Sequence, residues 1–514
     1  MIHQGGVAET TRPGRRYELD WLRVLAFGLL IFYHIGMYYV SDWGWHVKSQ
    51  HQSEWLQNIM LWSSQWRMSL LFLISGCAVA FLLQKMRLWS FYWSRYTRLL
   101  LPLIFGMAVV VVPQVYAEMA TQGRLVDVGY WQFWLAYLDQ GSALFVDNKT
   151  LGEWHVTWNH LWFLMYIYVY SVAAWSVRLL FKLLNLAGLW PLIEKRIGPV
   201  LMILGVPIAL LSLNGQLLYE SYPSSNDFIN DYFNHGRYFM AFVMGIVFVR
   251  VPGYWRRVRQ LRKPMLAAAF VSYAIVLFLF HSGEFGSGGF AQTLENLFWS
   301  SNGWLWILAI CGWAQCLLNK DNAVIGYLNG GVYCYYILHQ TVIIALAYQL
   351  APLDLGPVLE PICLAVLTLL MCLGGYEVLR RIPGLRMCFG ITVKRSTTSV
   401  IDLQAVANNG ELPSNASKND SYCSGSIGRI LRGSVIMKYK TYALSTVLAL
   451  LALTACTLQE VQKFSYNTGS AIGCRHKNDN LPNQEQLDFG CRQKQGDDMS
   501  YEEYIEIRNE TDTK

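Results

Sequence analysis

The stretch Trp21-Leu-Arg-Val-Leu-Ala-Phe-Gly-Leu-Leu-Ile-Phe-Tyr-His-Ile-Gly-Met-Tyr-Tyr-Val40 decides how this chain is read. It is apolar throughout except at Arg23 and His34. As an α-helix it would be about 30 Å long, enough to cross the hydrocarbon core of a bilayer. Ionisable groups in such a segment are costly, and they mark polar paths rather than lipid-facing anchors. The two residues are three helical turns plus about 20° apart, so they share one face, about 16 Å apart along the axis. Arg23 is then near one membrane surface, with Asp20 one turn before it, and His34 lies well inside toward the other.

The rest of the composition agrees. Of 514 residues, 54% are hydrophobic and only 15% charged, and apolar runs of about twenty residues recur. The chain reads as an all-α polytopic membrane protein with about ten transmembrane helices, at 21–40, 63–83, 99–117, 160–181, 199–217, 237–251, 265–281, 302–318, 331–350 and 361–379. Basic residues then fall mostly on one side: Arg12, Arg15 and Arg16; Lys85, Arg87, Arg95 and Arg98; Arg178, Lys182, Lys195 and Arg196; Arg250 to Lys263; Lys320; and Arg380, Arg381 and Arg386. The positive-inside rule makes that side cytoplasmic, with the N-terminus inside and an even number of spans. The net charge of +7 reflects this topology and is no footprint of nucleic-acid binding. No cleavable signal peptide precedes the first span. Seven of the eleven cysteines lie in or beside spans without metal-ligand spacing and read as small apolar residues. No internal repeat is evident, which weakens an inverted-repeat transporter reading.

Five further places carry chemistry. Ser75-Gly76 permits close helix approach, and Arg67 at the outer end of that span is an interface anchor or a holder of an anionic substrate. Arg95 and Arg98, one turn apart at the cytoplasmic mouth of the third span, suit phosphate recognition or belong to an ordinary positive-inside cluster. His160 and Trp162 open the fourth span from outside, where His160 reads as an interfacial packing residue or as part of a site. His339, with Tyr336 one turn before it, lies about 12 Å into a helix that starts near Gly331, and it needs partners from other helices. The outer loop Glu118 to Asn159 is rich in Trp and Tyr, suited to an aromatic belt or to stacking on sugars.

Together these residues resemble the membrane acyltransferase 3 family over about residues 15–390. The matching elements are Arg23 and His34 within Leu-Asp-Trp-Leu-Arg; Leu71-Phe-Leu-Ile-Ser-Gly76; Arg95, Arg98 and Pro102; His160-Leu-Trp-Phe-Leu164; and Tyr335-Tyr-Ile-Leu-His339. The resemblance implies a bacterial inner (plasma) membrane O-acyltransferase, with no cofactor but acyl-CoA as co-substrate. The acyl group, succinyl or acetyl, would pass from a cytoplasmic acyl-CoA donor to a hydroxyl of a glycan acceptor outside. His34, Arg23 and His339 are the expected catalytic residues: His34 as general base, Arg23 orienting the donor or a developing oxyanion, His339 as a proton relay. Arg95, Arg98, Arg67, Tyr336, His160 and Trp162 are expected to bind substrate. The partners are the lipid bilayer, the acyl-CoA donor and the glycan, with no nucleic acid and no metal. A transporter moving a glycan without acyl chemistry would also carry intramembrane Arg and His, and a membrane anchor for the C-terminal region is a third reading.

Five segments follow: 1–16 as a cytoplasmic tail, 17–395 as the membrane domain, 396–436 as a disordered linker, 437–456 as a lipoprotein-signal-like apolar segment, and 457–514 as a small acidic tail. Met437 to Cys456 has a basic start and ends Leu-Thr-Ala-Cys, resembling a lipoprotein signal; an eleventh membrane helix is the alternative. A signal beginning at an internal Met reads as a natural or artefactual fusion of two reading frames, and the membrane domain is expected to act without it.

Overall fold

A computed structural model describes residues 15–41, 43–125, 128–145, 155–183, 195–282 and 289–391. The expected segments 396–436, 437–456 and 457–514 lie outside the described residues. Among the described residues the fold is helical, and the one β-feature is an isolated bridge between Val40 and Ser53. Among the described residues, seven helical stretches are long and apolar enough to cross a membrane: Tyr17–Tyr39, Leu56–Lys85, Leu88–Thr121, Leu201–Leu218, Gly253–Ser282, Ala323–Leu353 and Gly356–Leu379. The other three expected spans are helices too. They are Trp162–Leu183, Tyr232–Arg250 and Gly289–Leu317. The protein is a multi-pass membrane protein.

The first helix, α1, runs Tyr17–Tyr39. Its C-terminal carbonyls are met by a buried cation: Lys48 Nζ donates to Met37 O at 2.8 Å and to Val40 O at 2.6 Å. A cation there suits the negative end of the helix dipole. α2 (Leu56–Ser64) and α3 (Arg67–Lys85) form the second span, broken at Gln65 and Trp66.

The third span is α4 (Leu88–Arg95), α5 (Leu101–Phe105) and α6 (Val112–Thr121), interrupted by π-helical turns at Tyr96–Leu100 and Gly106–Val110. Wide turns alter the regular carbonyl ladder and are frequent at functional sites. In the second of them, Ala108 O accepts from Trp134 Nε1 at 2.7 Å and Val110 O from Thr341 Oγ1 at 2.6 Å. A third π turn, Leu201–Gly205, offers Ile203 O to Trp304 Nε1 at 2.8 Å.

The aromatic loop between spans three and four carries α7 (Tyr130–Leu138), whose Phe133 and Tyr137 are buried with Phe145 and His155. Its aromatic residues are divided between packing and exposure. Trp134 and Tyr137 are pinned by hydrogen bonds, as is Trp158, which donates to Asn226 O at 2.9 Å, whereas Trp131 is exposed.

The remaining helices are α8 (Trp162–Leu183), α9 (Val206–Leu218), α10 (Tyr232–Arg250), α11 (Pro252–Ser282), α12 (Gly289–Leu317), α13 (Ala323–Leu350), α14 (Gly356–Leu379) and α15 (Pro383–Cys388). α3 and α10 touch backbone to backbone. A Cβ built on Gly76 would lie 1.9 Å from Phe242 O, and one on Gly245 would lie 2.1 Å from Leu73 O. The Cys77 thiol donates across the same seam to Gly245 O at 3.3 Å. Small residues at such a crossing are the membrane solution to close packing, which is what Ser75-Gly76 supplies.

Helix α13 begins at Ala323, where the Asn322 side chain caps it by accepting from Ile325 N at 3.1 Å. The expected start near Gly331 is therefore corrected: the polar Asn329 and Gly330-Gly331 are tolerated inside the helix. His339 lies about 24 Å from the helix start rather than 12 Å.

Candidate active site

α1 and α13 pack side by side and bring together two histidines 305 residues apart in sequence. His34 Nδ1 and His339 Nε2 are 3.1 Å apart, with ring centroids 4.9 Å apart. Carbonyl chemistry fixes their tautomers. His339 Nδ1 lies 2.6 Å from the Tyr336 carbonyl oxygen, which can only accept, so Nδ1 carries the proton and Nε2 is a lone pair. His34 Nδ1 faces that lone pair and, at 3.0 Å, the Leu30 carbonyl oxygen. It is therefore the donor to both, and the His34 lone pair resides on Nε2. A backbone carbonyl thus orients one imidazole, which orients the next, the arrangement that prepares a histidine as a base.

His160 supports the pair. It follows Asn159, whose φ of 42° is a left-handed conformation that Asn tolerates, in a short 3-10 turn before α8. Its Nε2 donates to Ile337 O at 3.1 Å, so its Nδ1 accepts from the Gln114 amide at 3.3 Å. Gln114 is fully buried and also donates to Thr341 Oγ1 at 2.6 Å, while its Oε1 accepts from Asn159 at 3.2 Å and Gln340 at 3.0 Å. Tyr336 completes the frame: its hydroxyl donates to His160 O, and its ring stacks beside His339 with centroids 5.8 Å apart. The spans that contain α6, α8 and α13 are thereby tied at one level.

His34, His160 and Tyr336 line a cavity of about 640 Å³, within the range of small-molecule sites. It lies toward the end of the bundle at which α1 terminates. Arg67, Arg237 and Trp162 also line it. Arg67 is the first residue of α3 and only 4% exposed. Its guanidinium lies 3.6 Å from the Tyr33 ring centroid, and it donates to Ser63 Oγ at 3.1 Å. Its buried Nε has no partner, and no carboxylate pairs with it among the described residues. A cation at a helix N-terminus opposes the dipole, so the helix itself does not favour this placement, and the Tyr33 ring and Ser63 hold the guanidinium there. Arg237, near the start of α10, donates to Gln65 O beside it. Trp162 stacks on Tyr238, with centroids 5.5 Å apart, and Tyr238 stacks on Phe72 at 4.7 Å.

The other three expected residues are elsewhere. Arg23 does not line the cavity; its NH1 reaches Asn329 Oδ1 at 3.4 Å, and Asn329 donates to Asp20 at 2.8 Å. The structure therefore does not bring Arg23 to His34, because the three turns between them place it at the opposite end of α1. It instead lies within electrostatic range of Arg95, as do Arg98 and the Tyr333 hydroxyl. Arg95 is 5% exposed, and the Nε atoms of Arg95 and Arg98 are buried without partners among the described residues. The molecule thus holds a guanidinium cluster at one end and the imidazole cavity at the other.

Sequence reading missed Gln114, Tyr33, Tyr238 and Glu295. The first three sit in runs where a neutral polar or aromatic residue gives no signal. Glu295 lies on α12 ahead of the apolar run at 302–318, and its helix begins at Gly289.

A family model described as an acyltransferase domain matches residues 16–377. The relatives include glucans biosynthesis protein C of Escherichia coli strain K12 and of Escherichia coli O157:H7. Each is 23% identical over 384 residues, covering 73% of this chain and 94% of the relative. No solved structure matches the chain.

Proposed function

The chain belongs to the acyltransferase family, as a multi-pass membrane enzyme that transfers acyl groups other than amino-acyl groups, and we propose that it moves a succinyl or acetyl group from a cytoplasmic acyl-CoA to a hydroxyl of a glycan outside the inner membrane. The observation that carries this reading is the His34 tautomer: Nδ1–H is held by Leu30 O and His339, and the Nε2 lone pair belongs to a ring that lines a cavity with two guanidinium groups.

In this reading Arg95 and Arg98, with Arg23 beside them, hold the donor's phosphates at the cytoplasmic end. The donor's flexible arm carries the thioester into the cavity. His34 Nε2 takes the proton of the acceptor hydroxyl as its oxygen attacks the thioester carbonyl. The tetrahedral oxyanion forms beside Arg67, which takes over the oxyanion role first expected of Arg23. Collapse breaks the C–S bond, the new ester leaves, and the thiolate receives the proton from His34. His339 keeps His34 in the productive tautomer and stabilises the transient imidazolium. The relatives' name concerns glucans, and this supports a glucan as acceptor. Two guanidinium groups in the cavity favour succinyl over acetyl, since the free carboxylate of succinyl gives them a partner.

The test is mass spectrometry of envelope and periplasmic glycans from cells with and without residues 1–395, before and after mild base. A base-labile acyl increment on one glycan class, absent with His34→Ala at equal expression, is the expected result. An unchanged ester profile with altered glycan amounts outside the membrane would replace the enzyme by a transporter.

A further inference from the structure

The cavity has a second wall that the acyl-transfer chemistry does not use. On α12, Gln292, Glu295, Asn296, Trp299, Ser300 and Gly303 recur at helical spacing and line the same space as His34. Two of these side chains serve helix packing. Gln216 of α9 donates to Gln292 Oε1 at 3.4 Å and accepts from Asn296 at 3.3 Å, so both amides are fixed against the neighbouring helix.

Glu295 is different. It is the one acidic side chain lining the cavity among the described residues, and no hydrogen bond or ion pair engages it there. Trp299, one turn further along the same face, has neither an aromatic neighbour nor a hydrogen bond to its indole among the described residues.

We infer that Glu295 and Trp299 form the acceptor subsite, a clamp for an uncharged pyranose. The assignment of this site to the acceptor rests on the acyltransferase reading. A carboxylate accepts two hydrogen bonds from adjacent sugar hydroxyls, and these charge-assisted bonds are the strong kind. An indole face covers the apolar C–H face of the ring, while its N–H remains available for a hydroxyl. The cavity has room for a sugar unit beside a short acyl group. The carboxylate also selects by charge: a uronic or otherwise acidic sugar would bring a second anion against Glu295. The positive wall at Arg67 and Arg237 is left to the acyl group and its oxyanion, so the two substrates are sorted by charge within one cavity.

The experiment is titration calorimetry of the full chain in nanodiscs without donor, using a linear glucose oligosaccharide and an oligouronate of equal length. The wild type is expected to bind the neutral oligosaccharide more tightly. Glu295→Ala and Trp299→Ala should each weaken that binding about tenfold or more, Trp299→Phe less so. Glu295→Gln should narrow the gap between neutral and acidic ligands. If Trp299→Ala does not insert, Glu295→Gln and Trp299→Phe carry the test. No binding by the wild type, equal binding by Glu295→Ala, or a wild-type preference for the oligouronate overturns the subsite. Transfer from succinyl-CoA and acetyl-CoA is assayed separately on the same samples. Glu295-dependent binding without transfer overturns the acyltransferase reading alone. Transfer with Glu295-independent binding overturns the subsite alone.

Discussion

His339 Nε2 accepts the Nδ1–H of His34 across 3.1 Å, and so the histidine that lines the cavity is oriented by one that does not. His339→Ala is therefore expected to reduce kcat by about 10²- to 10⁴-fold, the scale seen when the group that fixes a catalytic imidazole is lost. KM for donor and acceptor should hold. His339→Gln can still offer a carbonyl to His34, and it should recover part of the rate. Steady-state kinetics of the purified variants decides this; a variant with full kcat would remove His339 from the mechanism.

Arg95 and Arg98 keep buried Nε atoms without partners, far from the cavity that holds His34. If they bind the donor's phosphates, Arg95→Lys and Arg98→Lys raise the donor KM about tenfold or more, because an ammonium cannot replace a guanidinium fork. The acceptor KM is expected to stay constant. A rise in acceptor KM instead would contradict the assignment.

Arg67 faces the Tyr33 ring at the N-terminus of α3 with no carboxylate partner among the described residues. Arg67→Met should lower transfer of succinyl more than transfer of acetyl, since it loses both the oxyanion contact and the partner of the free carboxylate. Competition between the two thioesters in one reaction measures the ratio directly, and an unchanged ratio would confine Arg67 to the oxyanion.

Gly76 lies where a Cβ would meet Phe242 O at 1.9 Å. Gly76→Ala must push α3 and α10 apart, and a cost of about 1–3 kcal/mol is expected from overpacking. Thermal unfolding in detergent should shift downward, while Gly28→Ala, with nothing within 4 Å of its Cβ, should not shift.

Much of this was legible in the chain because membrane helices advertise themselves by length and apolarity, and a charge inside one is conspicuous. His34 and His339 stand out for that reason, as does the Arg95–Arg98 pair. Their grouping was not legible. The contact between His34 and His339 depends on how α1 and α13 pack, which no periodicity within either helix encodes. Arg23 shares a face with His34, yet axial distance, not facing, decided its partners. Gln114 escaped notice because a neutral amide in an apolar run has no distinctive signature until its four neighbours are assembled around it. The spans at 160–181, 237–251 and 302–318 were read from apolar runs that Tyr, Trp and Arg interrupt without ending.

The wide turn at Gly106–Val110 carries a consequence for how this span tolerates change in length. A residue removed there would leave hydropathy and span length almost untouched, yet it would close the wide turn into a regular one while the flanking helices kept nearly their present facing. The loss is local: the Val110 carbonyl that receives Thr341 would be drawn back into its own helix, and Thr341 is the hydroxyl to which Gln114 donates. The span thus holds this link by an extra residue rather than by any particular side chain. A single deletion in this apolar stretch should prove more damaging than most substitutions within it.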